Sequence, residues 1–127
     1  MRREGEGEIK SYHDLEVWKK SRLLVKKIYL LVKALPKDEL FALTSQIKRA
    51  ATSIPANLAE GHARHGLKDY IHFVCIAIGS AAELETHLLL TQDLEFIKPE
   101  ESVDVFALLD QVQKMLYALR KSLQAKL

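Results

Sequence analysis

Apolar residues recur along this chain at steps of three and four, and no stretch alternates with period two over the length of a strand. On a wheel advancing about 100° per residue, Val17, Leu24, Ile28, Leu31, Val32 and Leu35 share one side of a first helix. That helix is predicted from about Asp14 to Ala34, and Ser11 with Asp14 three residues later has the form of a capping box. A second helix is expected to open at Lys37-Asp38-Glu39, after Pro36, with Leu40, Leu43, Ile47, Ala50, Ile54 and Leu58 on its buried seam. Pro55 sits inside this pattern without disturbing its period, which predicts a kink and not a stop; Gly61 is placed as the C-terminal stop.

The third helix is predicted from about Leu67 to Gln92 and is apolar on two sides. Tyr70, Phe73, Val74, Ala77, Ala81, Leu84 and Leu88 mark one side, and Ile71, Cys75, Ile78, Ala82 and Leu89 the other. After a turn around Asp93 to Pro99, with Ser102 a candidate cap, Val105, Leu109, Val112, Leu116, Leu119 and Leu123 form the seam of a last helix. Four helices joined by short turns pack most simply as an all-α, antiparallel up-down four-helix bundle, here over residues 11–127. Met1 to Lys10 shows no periodicity and is expected to be a disordered tail. A helix apolar on two sides is either central or packed against another subunit. Leu23 and Leu30 fall within the polar side of the first helix, so together with Ile71 and Ile78 they form a candidate oligomer interface.

Composition adds limits. The length of 127 residues suits one domain, and 48% apolar residues suffice for one core. One cysteine, Cys75, permits no intrachain disulfide and fits a reducing compartment. No unbroken apolar run approaches the ~18 residues of a membrane span, and no apolar stretch follows Arg2 and Arg3 as a secretory signal would. The expectation is a cytoplasmic protein without a membrane partner.

The net charge is only +2, but it is unevenly spread: residues 1–64 sum to +5 and residues 65–127 to −3. In the first helix Lys19, Lys20, Arg22, Lys26, Lys27 and Lys33 follow a single acid, Glu16. Cations spaced along a rigid helix are what phosphates require, so this face is the leading candidate for binding RNA or DNA. The competing reading is a solvated lysine-rich surface. Lysine in preference to arginine suits contact with the phosphate backbone more than readout of bases. Lys48, Arg49 and Arg64 extend the charge along the second helix, unless they pair with acids such as Glu83 or Glu85.

Nothing converges on catalysis. Asn57 and Glu60 lie close to Pro55, which frees the Ala51 carbonyl, and are read with Gly61 as structural. Thr52 and Ser53 have the same reading. His62, His65, His72 and His87 complete no four-ligand set, and His72 and His87 stand more than ~20 Å apart along one helix. The Glu-x-x-His pattern of di-iron bundles is absent, as is a glycine-rich phosphate loop. Cys75, amid Phe73, Val74 and Ile76, reads as a small core residue. No metal, cofactor or enzymatic activity is expected.

Several segments carry a family resemblance. They are Tyr12-His13-Asp14-Leu15-Glu16-Val17-Trp18, Leu35-Pro36-Lys37-Asp38-Glu39-Leu40, the stretch from Gln46 to Gly61, and Ala77-Ile78-Gly79-Ser80-Ala81-Ala82-Glu83-Leu84-Glu85. Together they resemble the four-helix-bundle proteins encoded in intervening sequences of bacterial 23S ribosomal RNA genes. The same family includes the accessory variability protein of diversity-generating retroelements. The resemblance spans about residues 12–97, with the stretch from Gln46 to Gly61 its most specific part. It implies a ring-like homopentamer and, in the retroelement branch, a basic surface that binds nucleic acid and a reverse transcriptase. No enzymatic activity is implied. The resulting expectation is a non-catalytic, homo-oligomeric accessory protein that binds RNA or DNA non-specifically. The alternative is a scaffold that docks a partner enzyme, such as a reverse transcriptase, without touching nucleic acid.

Overall fold

The computed structural model describes residues 11–127, and the expected tail, Met1 to Lys10, lies outside the described residues. Among the described residues there are four α-helices and no strands: α1 (Glu16–Leu31), α2 (Leu43–Ala63), α3 (Leu67–Asp93) and α4 (Val103–Gln124). Short 3₁₀ turns at Tyr12–Asp14, Val32–Ala34, Lys37–Glu39 and Pro99–Glu101 stand at the ends and in the connections. The helices pack α1 on α2, α2 on α3, α3 on α4 and α4 back on α1. Chain neighbours are thus spatial neighbours and the bundle closes on itself.

The expected seams supply the core. Val17, Leu24 and Ile28 of α1 meet Ile47, Ala50, Ile54 and Leu58 of α2, Val74, Ala77, Ala81, Leu84 and Leu88 of α3, and Val105, Leu109, Val112 and Leu116 of α4. Each is buried because its three-four spacing holds it on the inward stripe. Burial of one Leu or Ile contributes about 1.5–3 kcal/mol, so these stripes dominate the stability.

The predicted helix starts need correction. Ser11 and Asp14 do form a capping box, but it closes the 3₁₀ turn Tyr12–Asp14 and not α1. Helix α2 begins six residues later than the sequence predicts, because Lys37–Glu39 winds as a 3₁₀ turn closed by Glu39 N–H donating to Pro36 O at 3.0 Å. A 3₁₀ turn advances about 120° per residue instead of about 100°, which rotates Leu40 off the α2 seam. Leu40 is accordingly 48% exposed. Ser102 stands before α4 without capping its amides; its hydroxyl donates to Pro99 O and accepts from Gln92 Nε2 at 3.1 Å, tying α3 to α4.

Gly61 is not a stop. Helix α2 runs through it to Ala63, and a Cβ at Gly61 would lie 2.7 Å from Phe73 Cβ and 3.3 Å from Tyr70 O. The missing side chain is what lets α2 and α3 approach at this level. Burial there pushes the Tyr70 phenol up to about 12. Pro55 lies inside α2, as its undisturbed period predicts. Asn57 Nδ2 donates to the Ser53 carbonyl and to Ser53 Oγ, each at 2.8 Å, and Ser53 Oγ meets Ser80 Oγ of α3 at 2.7 Å. This ladder crosses the α2–α3 seam.

Helix α3 ends in a Schellman motif: Phe96 N–H donates to Thr91 O, Glu95 N–H donates to Gln92 O, and Glu95 takes the left-handed conformation at φ 62°. By length and composition α3 could cross a membrane. In the bundle its Val74–Leu88 stripe is core, while the opposite side faces outward. Cys75 lies on that outward side and is exposed, contrary to its reading as a core residue. One step from Val74 is about 100° around the helix, enough to leave the core.

Candidate nucleic-acid interface

The predicted cations separate into three groups. At the start of α1, Lys19 forms an ion pair with Glu16 at 3.3 Å, and the Arg22 guanidinium lies 4.8 Å from the centroid of the Trp18 ring. That ring also makes edge contacts with Tyr12 and His13. Lys20 is half-buried. At the far end of α2, Arg64 pairs with Glu60 at 2.7 Å and lies 5.0 Å over Phe73. Its partner is thus Glu60, not Glu83 or Glu85; Glu83 lies 3.9 Å from His87. Arg64 stands about 24 Å along α2 from Lys48 and cannot join it in one contact.

The third group converges. Where α1 gives way to α2 the surface opens into a concavity of about 690 Å³. Lys26 and Lys33 from α1 and its end, Lys37 from the connecting 3₁₀ turn, and Lys48 from α2 all line it, and none of the lining residues is acidic. Leu30, Val32, Leu35, Pro36 and Leu40 provide an apolar wall. Tyr29 lines it too, with Lys48 Nζ 4.8 Å from its ring centroid. The sequence fixes this site through register. Lys26 of α1 and Lys33 of the Val32–Ala34 turn that follows it are one heptad apart and both reach the recess, while Pro36 and the next 3₁₀ turn bring Lys37 back towards Lys48. Four cations around a wall that offers no counter-charge form a patch whose attraction falls on an external anion.

Lys27 does not belong to this group. It shares a separate groove of about 280 Å³ with Glu101 and Asp104 at the start of α4, and those acids offset its charge. Arg49 is exposed on α2. Sequence reasoning missed Lys37, Tyr29 and Leu40 as members of the site, and it passed over Phe41. Phe41 is 93% exposed beside Leu40. Its signal was present: Phe41 lies off the three-four register of Leu43, Ile47, Ala50 and Ile54.

The proposed interface residues divide as well. Leu23 and Leu30 are exposed, and Leu30 lines both grooves. Ile71 and Ile78 are half-buried against the core of their own chain. The apolar side chains that α3 turns to solvent are Ile76, Leu89 and Leu90, beside the small residues Cys75, Gly79 and Ala82. A Cβ at Gly79 would meet nothing within 4 Å.

Comparison with known proteins places the chain. The model of the family described as 23S rRNA-intervening sequence protein matches residues 13–118. A solved structure, a protein with unknown function from the S23 ribosomal protein family of Bacteroides thetaiotaomicron VPI-5482, superposes with a TM-score of 0.76 at 30% identity. The match covers 83% of this chain and 98% of that one. Comparison with curated proteins finds no match. The bundle, its seams and the matched span together lead to one assignment: the chain belongs to the 23S rRNA-intervening sequence protein family.

Proposed function

We propose that this protein is a non-catalytic accessory protein of the cytoplasm that binds RNA or DNA through its basic surface. The observation that carries the reading is the convergence of Lys26, Lys33, Lys37 and Lys48 with no acid among their neighbours in the concavity. Lysine ammonium groups act as point charges on phosphate, so the binding is insensitive to sequence and falls steeply with salt. Lys20 lies one heptad before Lys27, on the same side of α1, and Arg49 is exposed on α2; Lys19, Lys27 and Arg64 contribute less because acids stand beside them.

The protein works as a homo-oligomer in this reading, a ring of five as the family resemblance implies. The exposed apolar side of α3, with Ile76, Leu89 and Leu90, supplies the contact surface together with Leu23. A second reading, a scaffold docking a partner enzyme such as a reverse transcriptase, is favoured by Phe41, whose exposed ring suits a protein anchor. Gel-shift titration against structured RNA and duplex DNA at low and moderate salt separates the two, with light scattering on the same sample. Salt-sensitive binding by an intact oligomer supports the first reading. An intact oligomer that binds neither nucleic acid at low salt removes it and leaves the scaffold.

A further inference from the structure

The nucleic-acid reading leaves the shape of the lysine-ringed concavity unexplained. A duplex presents its phosphates on a convex rod and has nothing to place in an apolar recess, and a flat basic surface would serve it as well. The recess holds about 690 Å³, within the range of sites that take up a small ligand. Its wall is aliphatic apart from one aromatic ring, Tyr29, and apart from the lysines only Tyr29 and Thr44 bring polar side chains to it. Such a wall gives a base a surface to stack on and few groups with which to read its edge.

We infer that the concavity receives an unstacked base of a single-stranded nucleic acid, with Tyr29, whose ring carries the Lys48 ammonium 4.8 Å from its centroid, as the stacking surface and Lys26, Lys33 and Lys37 on the flanking phosphates. The inference rests on the proposed nucleic-acid function and names its substrate class. Charge complementarity selects the occupant: four cations and no acid line the recess, and an anion with an apolar body satisfies both parts. Lys26 and Lys33 stand about 10 Å apart along the helix axis, which places positive charge on more than one phosphate of a strand. A single strand costs little to unstack, whereas a paired base must first leave its duplex. Binding is therefore tolerant of sequence and selective for single strands.

The test uses the full chain and fluorescence anisotropy with a labelled homopolymeric single strand and a duplex of equal length, at one salt concentration. The single strand is expected to bind about tenfold more tightly than the duplex. Tyr29→Leu, which keeps an apolar residue at a partly exposed position, is expected to weaken the single strand about tenfold, as loss of one stacked base does, and the duplex by much less. Lys33→Gln weakens both ligands. Circular dichroism and light scattering establish that each variant keeps its fold and assembly. Equal affinity for both ligands, with Tyr29→Leu without effect, overturns the inference and leaves the basic surface standing. Absence of binding to either ligand at low salt overturns the nucleic-acid function and this inference with it.

Discussion

The two ends of α2 are built on opposite principles. At its C-terminal end Gly61 meets Phe73 and Tyr70 of α3 so closely that no side-chain atom fits between the helices. At its N-terminal end the connection from α1 leaves a concavity walled by aliphatic residues and ringed by lysine. The first end spends its residues on contact with its own chain. The second leaves Leu30, Leu40 and Phe41 exposed, which folding alone gives no reason to do. The two ends of α2 thus differ in what they bury, and substitutions are expected to separate the packed end from the exposed one.

The largest contrast is in the core. Ile54→Ala, at a fully buried position, is expected to lower unfolding free energy by about 2–5 kcal/mol, while Leu40→Ala changes it by less than about 0.5 kcal/mol. Denaturant unfolding followed by circular dichroism measures both; a large loss for Leu40→Ala would return that residue to the core. Gly61→Ala comes next. Its methyl would press on the first carbon of the Phe73 side chain, so the helices must separate, at a cost of about 1–3 kcal/mol.

A smaller effect has the opposite sign. Glu95 holds a left-handed conformation that glycine adopts freely, so Glu95→Gly is expected to raise stability by about 1 kcal/mol, visible as a higher Tm. The smallest change concerns pH. The Tyr70 phenol is raised from 10.0 to about 12 by burial, so its contribution is fully present below pH 10 and is lost as pH rises towards 12. Alkaline unfolding curves of Tyr70→Phe should therefore be flatter over that window than those of the parent chain; identical curves would remove Tyr70 as a source of the pH dependence.

These contrasts follow the line between what the sequence reveals and what it conceals. The four seams were legible because burial of Leu24, Ile54, Leu84 and Leu116 repeats with helical spacing, and spacing is a property of the chain. Leu40 was misplaced because a 3₁₀ turn changes the angular step without changing the residues. Gly61 was misread because a glycine that ends a helix and a glycine that admits a neighbouring helix look the same until the neighbour is known. Cys75 was placed in the core because its neighbours are apolar, yet α3 carries more apolar surface than one bundle covers.

The site was legible in part. The charge asymmetry pointed to α1, and Lys26, Lys33 and Lys48 were among the candidates. What no helical wheel could show was that Lys27 shares a groove with Glu101 and Asp104, or that Lys37 and Tyr29 join a recess assembled from two helices and their connection.

The measurement that tests the central claim most directly is the salt dependence of single-strand binding by the parent chain and by the double variant Lys26→Gln/Lys33→Gln. The account predicts a linear fall of log affinity with log salt, and a slope shallower by about 0.7 for each phosphate contact removed, with unfolding free energy unchanged within about 0.5 kcal/mol. Nucleic-acid binding with the same slope in both proteins would contradict it, because the cations at the mouth of the recess would then play no part.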